Sequence, residues 1–322
     1  MKDTDYAFAV AEVRQLENTL FDKQQMASLI NAKTNEDIKS LLSLKGFEIP
    51  ENADIREVLD NESKRNYEFA KEILSDDGYL EIFTVKNDFH NLKAAVKALM
   101  CGANAEQYYV FPTQVDCDTL TDDIANKNFG ELPEYMREVA KTVYDTTAES
   151  RDGQMIDVII DRETLGTISK LSKRSGSELM KEYGELTVNT ADIKTAYRGA
   201  KAGKNEAFFE YALCGSEALP KIPLCRAAAK GTDEVLNFVA QSGETELFEA
   251  LKQGVSALEK CADAKTAEIM SKSAFEAFGP DPIIAFYWLR EMQIRNIRII
   301  TVCREMRLEP QKIAERVRDI YV

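Results

Sequence analysis

Histidine and tryptophan occur once each in 322 residues, proline eight times and glycine fifteen times. With His90 alone, multi-histidine metal centres are excluded and a catalytic triad has a single candidate base. Scarce proline and glycine, beside abundant Ala, Leu, Glu, Lys and Met, disfavour a sandwich or barrel and favour long helices. Positive charge is also short. Forty-one Lys and Arg against 55 Asp and Glu leave a net charge of −14, the reverse of the basic footprint that neutralises phosphates. Nucleic acid is therefore not expected as a partner.

Long apolar runs are missing as well. Ile283 to Leu289 is a run of seven, whereas a bilayer-spanning helix needs about 20, and no apolar stretch follows Met1-Lys2-Asp3-Thr4-Asp5 to act as a secretory signal. The expectation is a cytosolic protein without a membrane span, reaching a membrane only through other proteins. Six scattered cysteines lack a C-x-x-C pair and read as reduced thiols. No G-x-x-x-x-G-K-[ST] or G-x-G-x-x-G loop offers a phosphate cradle. Asp122-Asp123-Ile124-Ala125-Asn126 has the look of the acidic magnesium motif of helical prenyl-processing enzymes. No second acidic cluster completes it, and acids at a helix start favour the helix dipole anyway. No catalytic, cofactor or metal site is expected, and His90 is read as a cap or packing residue.

What the sequence does contain is helical periodicity. Tyr6, Val10, Val13, Leu16, Leu20 and Phe21 predict one helix to about Ile30, capped by Asp3 or Thr4. Further helices are expected at 35–44, 55–60, 64–76, 87–100, 133–150, 162–173, 177–183, 190–201, 205–213, 233–242, 245–261, 264–277, 282–306 and 310–321. Gly46, Gly78, Gly102 and Gly203 serve as stops. Met155 to Ile160 is β-branched and strand-like, but a lone strand would leave its backbone unpaired, so it reads as the entry to a buried helix. The fold class is all-α.

One pattern returns at near-constant spacing. Asn91-Leu92-Lys93-Ala94-Ala95, Asp192-Ile193-Lys194-Thr195-Ala196 and Asn296-Ile297-Arg298-Ile299-Ile300 are separated by 101 and then 104 positions. Each gives a short amide or acid, an aliphatic, a base, then small or apolar residues. Such self-similarity marks a repeat architecture, here three helical units at 1–110, 111–212 and 213–322. Asn91, Asp192 and Asn296 are expected to cap backbone near the repeat helices. Lys93, Lys97, Lys194, Arg198, Arg295 and Arg298 are candidates to meet acidic groups of a partner; internal pairing with the plentiful Asp and Glu is the competing expectation. The stretch from Arg290 to Arg318, with eight bases against four Glu, is a second local candidate.

Four segments resemble one family. They are Tyr6-Ala7-Phe8-Ala9-Val10-Ala11-Glu12-Val13-Arg14 with Leu16-Glu17; Lys86 to Lys93; Asn189 to Lys194; and Gly279-Pro280-Asp281-Pro282 followed by Tyr287, Glu291 and Asn296-Ile297-Arg298. In order and distance they are similar to the C subunit of rotary A-type and bacterial V-type ATPases, and to the d subunit of eukaryotic V-ATPases. Segments 101–128 and 214–234 carry little of the likeness. The resemblance implies three similar helical units around a pseudo-threefold axis forming a funnel. It also implies a non-catalytic central-stalk role, with the shaft subunits and the cytoplasmic loops of the membrane rotor ring as partners and no cofactor. A general helical scaffold binding other proteins is the rival reading, although its repeats would be about 34 to 47 residues long.

Overall fold

The structure, a computed structural model, describes residues 6–74, 78–150 and 153–320. In chain order its helices are α1 (Ala7–Leu16), α2 (Lys23–Asn31), α3 (Asn35–Leu44), α4 (Ile55–Ile73), α5 (Gly78–Cys101), α6 (Leu120–Ala125), α7 (Glu134–Ser150), α8 (Gly153–Arg174) and α9 (Glu178–Lys201). They continue as α10 (Glu206–Ala212), α11 (Lys221–Lys230), α12 (Thr232–Gln241), α13 (Thr245–Lys252), α14 (Val255–Ser271), α15 (Asp281–Glu305) and α16 (Pro310–Ala314). The protein is all-α, with no strand among the described residues. Met155 to Ile160 lies inside α8.

Several boundaries differ from expectation for identifiable reasons. The expected first helix is broken in two, because Asp22 and Gln25 form a capping box that restarts the chain as α2. Beside it, buried Phe21 exchanges two backbone hydrogen bonds with the Gln293 side chain, at 3.0 and 2.9 Å. The stretches at 55–60 and 64–76 merge into α4, those at 177–183 and 190–201 into α9, and Gly78 opens α5. Residues 245–261 divide between α13 and α14 at Gly254, whose φ of 114° is a conformation glycine adopts freely. The last helix stops at Ala314, and α11 was not anticipated. The caps at Asp3 and Thr4 and the ends at Asp76 and Tyr321 fall outside the described residues.

Contacts divide the chain into two units, Met1–Asp77 with Asp263–Val322, and Gly78–Ala262. In the first, α4 and α1 pack on α15, and α16 on α2. Its core joins Met26, Leu29, Ile38 and Leu42 to Ile294, Ile297 and Ile300, each such side chain contributing roughly 1.5–3 kcal/mol by leaving water. In the second, α8 lies against both α5 and α9, around Phe89, Leu92, Ile160, Ile168, Met180 and Ile193.

The three repeat helices α5, α9 and α15 end alike. Gly102 (φ 64°), Gly203 (φ 66°) and Arg307 (φ 57°) are left-handed, each eleven positions after Asn91, Asp192 and Asn296. Across them run equivalent bonds, Ala103 N–H to Ala98 O, Lys204 N–H to Gly199 O and Leu308 N–H to Cys303 O, at 2.9, 3.0 and 3.0 Å. This is the backbone stop of a helix that turns through a left-handed residue. After α15, Arg307 adopts it at a cost of about 1 kcal/mol that glycine would avoid.

Gly199 has a second role. A Cβ there would lie 2.5 and 2.9 Å from the ring of Phe209, which is fully buried. Alanine gains about 1 kcal/mol in helix propensity, but overpacking a core costs about 1–3 kcal/mol, and this ring has no exposed side to yield into. Gly199→Ala is therefore expected to lower the urea midpoint, whereas Gly102→Ala would lose only through its φ.

Candidate functional site

Each repeat helix carries a buried polar residue that holds a later chain segment. Asn91 donates from Nδ2 to Val110 O (3.0 Å) and accepts Val110 N–H on Oδ1 (2.9 Å). Asn296 does the same with Arg318 O and N–H, at 3.0 and 2.9 Å. Asp192 accepts two donors instead, Cys214 N–H on one oxygen (3.0 Å) and Gly215 N–H on the other (2.6 Å). The residue type follows the partner. An amide suits a carbonyl beside an N–H, and a carboxylate suits two N–H groups.

One turn earlier stands a second column that the sequence reading missed: Asp88, Asn189 and Gln293, at the same 101 and 104 offsets. Asp88 accepts Gln114 N–H (2.8 Å), Val115 N–H (3.1 Å) and the Tyr135 hydroxyl (2.7 Å). Asn189 receives the Ser216 hydroxyl and donates to Glu244 (2.8 Å), while Gln293 clasps Phe21. All six clasp residues are buried. The signal for the second column was present: a polar residue three before the first, repeated in three otherwise apolar helices.

Burial raises the Asp88 carboxyl, against the pull of Tyr135 and two backbone donors. It pushes Asp192 up to about 6 from its ordinary 3.8, against the two backbone N–H groups and Lys221. A raised folded pKa means that the folded chain holds this proton more tightly than the unfolded chain. The favourable contribution is complete below 3.8 and is lost as pH rises through about 6. Asp192→Asn should make unfolding free energy fall less steeply with pH across that window, by up to about one proton. Urea unfolding at several pH values reads it.

The candidate bases are distributed as follows. Lys93 pairs with Asp161 at 2.6 Å and approaches Asp157 at 3.6 Å; Lys97 reaches Asp157 at 2.6 Å. Lys194 meets Glu259 at 3.1 Å, and Arg298 meets Asp60 at 2.6 Å. Arg295 lies 3.7 Å from Asp263, and Arg198 is exposed on α9. Equivalent bases thus follow one rule. Lys93 on α5 pairs to α8, Lys194 on α9 to α14, and Arg298 on α15 to α4, and α8, α14 and α4 are the long helices that precede α9, α15 and α5 in the chain. All are at least partly exposed, where such pairs contribute about 0–1 kcal/mol each. They fix register more than they stabilise.

The basic stretch Arg290 to Arg318 is partly neutralised within the fold. Arg290 is buried against Glu62 at 2.8 Å, and Arg318 Nε sits 3.0 Å from Asp263. His90 Nε2 donates to Tyr108 O at 3.1 Å. Asp122 and Asp123 lie in the first turn of α6. Among the described residues no three His, Cys, Asp or Glu side chains gather as a metal site, and no helix is long and apolar enough to cross a membrane.

Comparison with known proteins places these observations. The family described as ATP synthase (C/AC39) subunit matches residues 9–316. The C subunit of the V-type sodium ATPase of Enterococcus hirae is 26% identical over 270 residues, covering 82% of this chain and 81% of that protein. The C subunit of the A-type ATP synthase of Methanocaldococcus jannaschii is 23% identical over 341 aligned positions, covering 96% and 85%. The matched span takes in α5, α9 and α15 with their stops and all six clasp residues. The chain belongs to the ATP synthase (C/AC39) subunit family.

Proposed function

We propose that the chain is the central-stalk subunit of a rotary V/A-type ATPase, joining the shaft to the membrane rotor ring and passing torque between them without an active site of its own. It would sit at the cytoplasmic face, held to the membrane through the complex, with ATP chemistry in other subunits and protons or sodium ions carried elsewhere. The division into three repeats at 1–110, 111–212 and 213–322 belongs to this proposal. So does partner contact by Lys93, Lys97, Lys194, Arg198, Arg295 and Arg298, five of which would meet a partner from ion pairs already made.

The observation that carries the reading, beside family membership, is the recurrence of one clasp, one helix stop and one outgoing ion pair in each of three helices. A part that transmits torque must resist shear between its helices. Side chains that bind backbone segments rigidly, in a dense interior of low compressibility, provide that resistance. Partly polar surface pairs suit a part that docks to other subunits through a mixed interface.

The test is to tag the chain in its native host, solubilise membranes gently and identify what co-purifies. Shaft and ring subunits in fixed ratio are expected. Recovery of only soluble clients would support the scaffold reading, and recovery of the chain alone would end both. Vesicles lacking the chain should hydrolyse ATP without pumping ions, and purified chain should restore the coupling.

A further inference from the structure

The segment after α5 combines features that no structural role requires. Residues 98–126 contain five acids (Glu106, Asp116, Asp118, Asp122 and Asp123) and not one Lys, Arg or His. Within them Tyr108 is 57% and Phe111 67% exposed, with Val110 between them at 37%. Leaving two aromatic rings in water forfeits roughly 1.5–3 kcal/mol of burial apiece, so a flexible loop would be expected to fold them down.

This loop is held open by one face of α5. Two adjacent pairs of side chains one turn apart bind its backbone: Asn87 donates to Pro112 O at 2.8 Å, His90 to Tyr108 O, Asn91 grips Val110 from both sides, and Asp88 accepts from Gln114 and Val115. Tyr109, between the two exposed rings, is tied by its hydroxyl to Thr121 at 2.6 Å. The bases of α5 are engaged elsewhere: Lys86 lies over the Tyr183 ring at 5.9 Å, Lys93 is paired with Asp161, and Lys97 with Asp157. A rigid backbone presenting aromatic side chains is the preorganised form of a binding hot spot, since the ordering cost is met before the partner arrives.

We propose that the 108–111 loop is a protein-docking edge whose occupant is a basic, apolar segment of another polypeptide. Charge decides the chemistry. A segment with five acids and no base repels phosphates, which disfavours nucleic acid and anionic lipid headgroups. It attracts and orients a Lys- and Arg-bearing segment whose apolar residues cover Tyr108 and Phe111. The inference goes beyond the stalk reading and does not depend on it.

The experiment is site-specific photo-crosslinking of the full chain in its native host, with p-benzoylphenylalanine in place of Phe111 and, separately, Tyr108. Exposed Lys201, on α9, is the control position. The expected result is an adduct at 111 and 108 but not 201, mapped to a segment of net positive charge, and weakened by high salt. The double variant Tyr108→Ser, Phe111→Ser should keep wild-type urea unfolding and bind the identified partner about tenfold more weakly, as loss of a hot-spot side chain does. No adduct above the control, an adduct on an acidic segment, or lipid adducts alone would each overturn the proposal. If the adduct forms on a basic segment while shaft and ring subunits fail to co-purify, the docking edge stands and the stalk reading falls.

Discussion

Replacing Arg290 with methionine is expected to cost about 3–5 kcal/mol of unfolding free energy, the range for removing one partner of a buried ion pair. Arg290 and Glu62 are 3% and 5% exposed, with Nε 2.8 Å from Oε1. The same guanidinium donates to Thr19 O and Lys45 O, each at 3.1 Å, and stacks 4.2 Å from the Phe47 ring centre. One side chain thus ties α15, α4 and two loops. Methionine fills the volume but leaves two carbonyls and the Glu62 Oε1 without the guanidinium. Glu62 keeps Arg65 at 2.6 Å, which places the loss toward the lower part of the range. Lysine should recover only part, because a single ammonium cannot serve three sites fixed in a planar fork. A double change to Arg290→Met and Glu62→Leu should be milder than Arg290→Met alone, since the Glu62 carboxylate is then no longer left without its guanidinium. Urea unfolding of the single variant within about 1 kcal/mol of wild type would show that the pair is not buried in solution, since exposed pairs contribute about 0–1 kcal/mol.

How much of this was legible beforehand can be judged residue by residue. The amide-or-acid column at 91, 192 and 296 was visible from spacing, and so was its capping role, because short polar side chains in apolar helices have few other uses. The column at 88, 189 and 293 has the same spacing but mixes acid, amide and a longer amide, and that variety hid it. Gly102 and Gly203 announced their stops, while Arg307, doing the same work, gave no compositional sign. Glu62 and Arg290 are 228 positions apart, and nothing local distinguishes a buried pair from surface charges. Glu291 is similar: its oxygens accept from Ser63 and Asn66, at 2.7 and 2.8 Å, and burial raises its carboxyl. The exposure of Phe111 was equally unreadable, since only the backbone bonds from α5 explain why it stays outside. Local propensity sees caps and stops; it does not see contacts made across hundreds of residues.

The chemistry of the clasps makes the second large prediction, and it reverses with pH. Asn296→Asp changes one atom. The carboxylate can still accept Arg318 N–H, but its other oxygen now faces Arg318 O, where the amide had donated at 3.0 Å. Residue 296 is fully buried, so two acceptors oppose each other and a charge loses its water. At pH 7 the expected loss is about 3 kcal/mol or more, from an uncompensated buried charge and an orphaned carbonyl. As pH falls the new carboxyl takes up a proton and donates to Arg318 O, restoring both bonds. Its folded pKa must therefore lie above the unfolded value, so the deficit against wild type shrinks as pH falls through that folded pKa. Asn296→Ala should show a comparable loss at pH 7 without recovery in acid. Urea unfolding of the three proteins at pH 4.5 and pH 7 separates the cases, and an Asn296→Asp deficit that stays constant between them would mean that Arg318 O is not the group the amide serves.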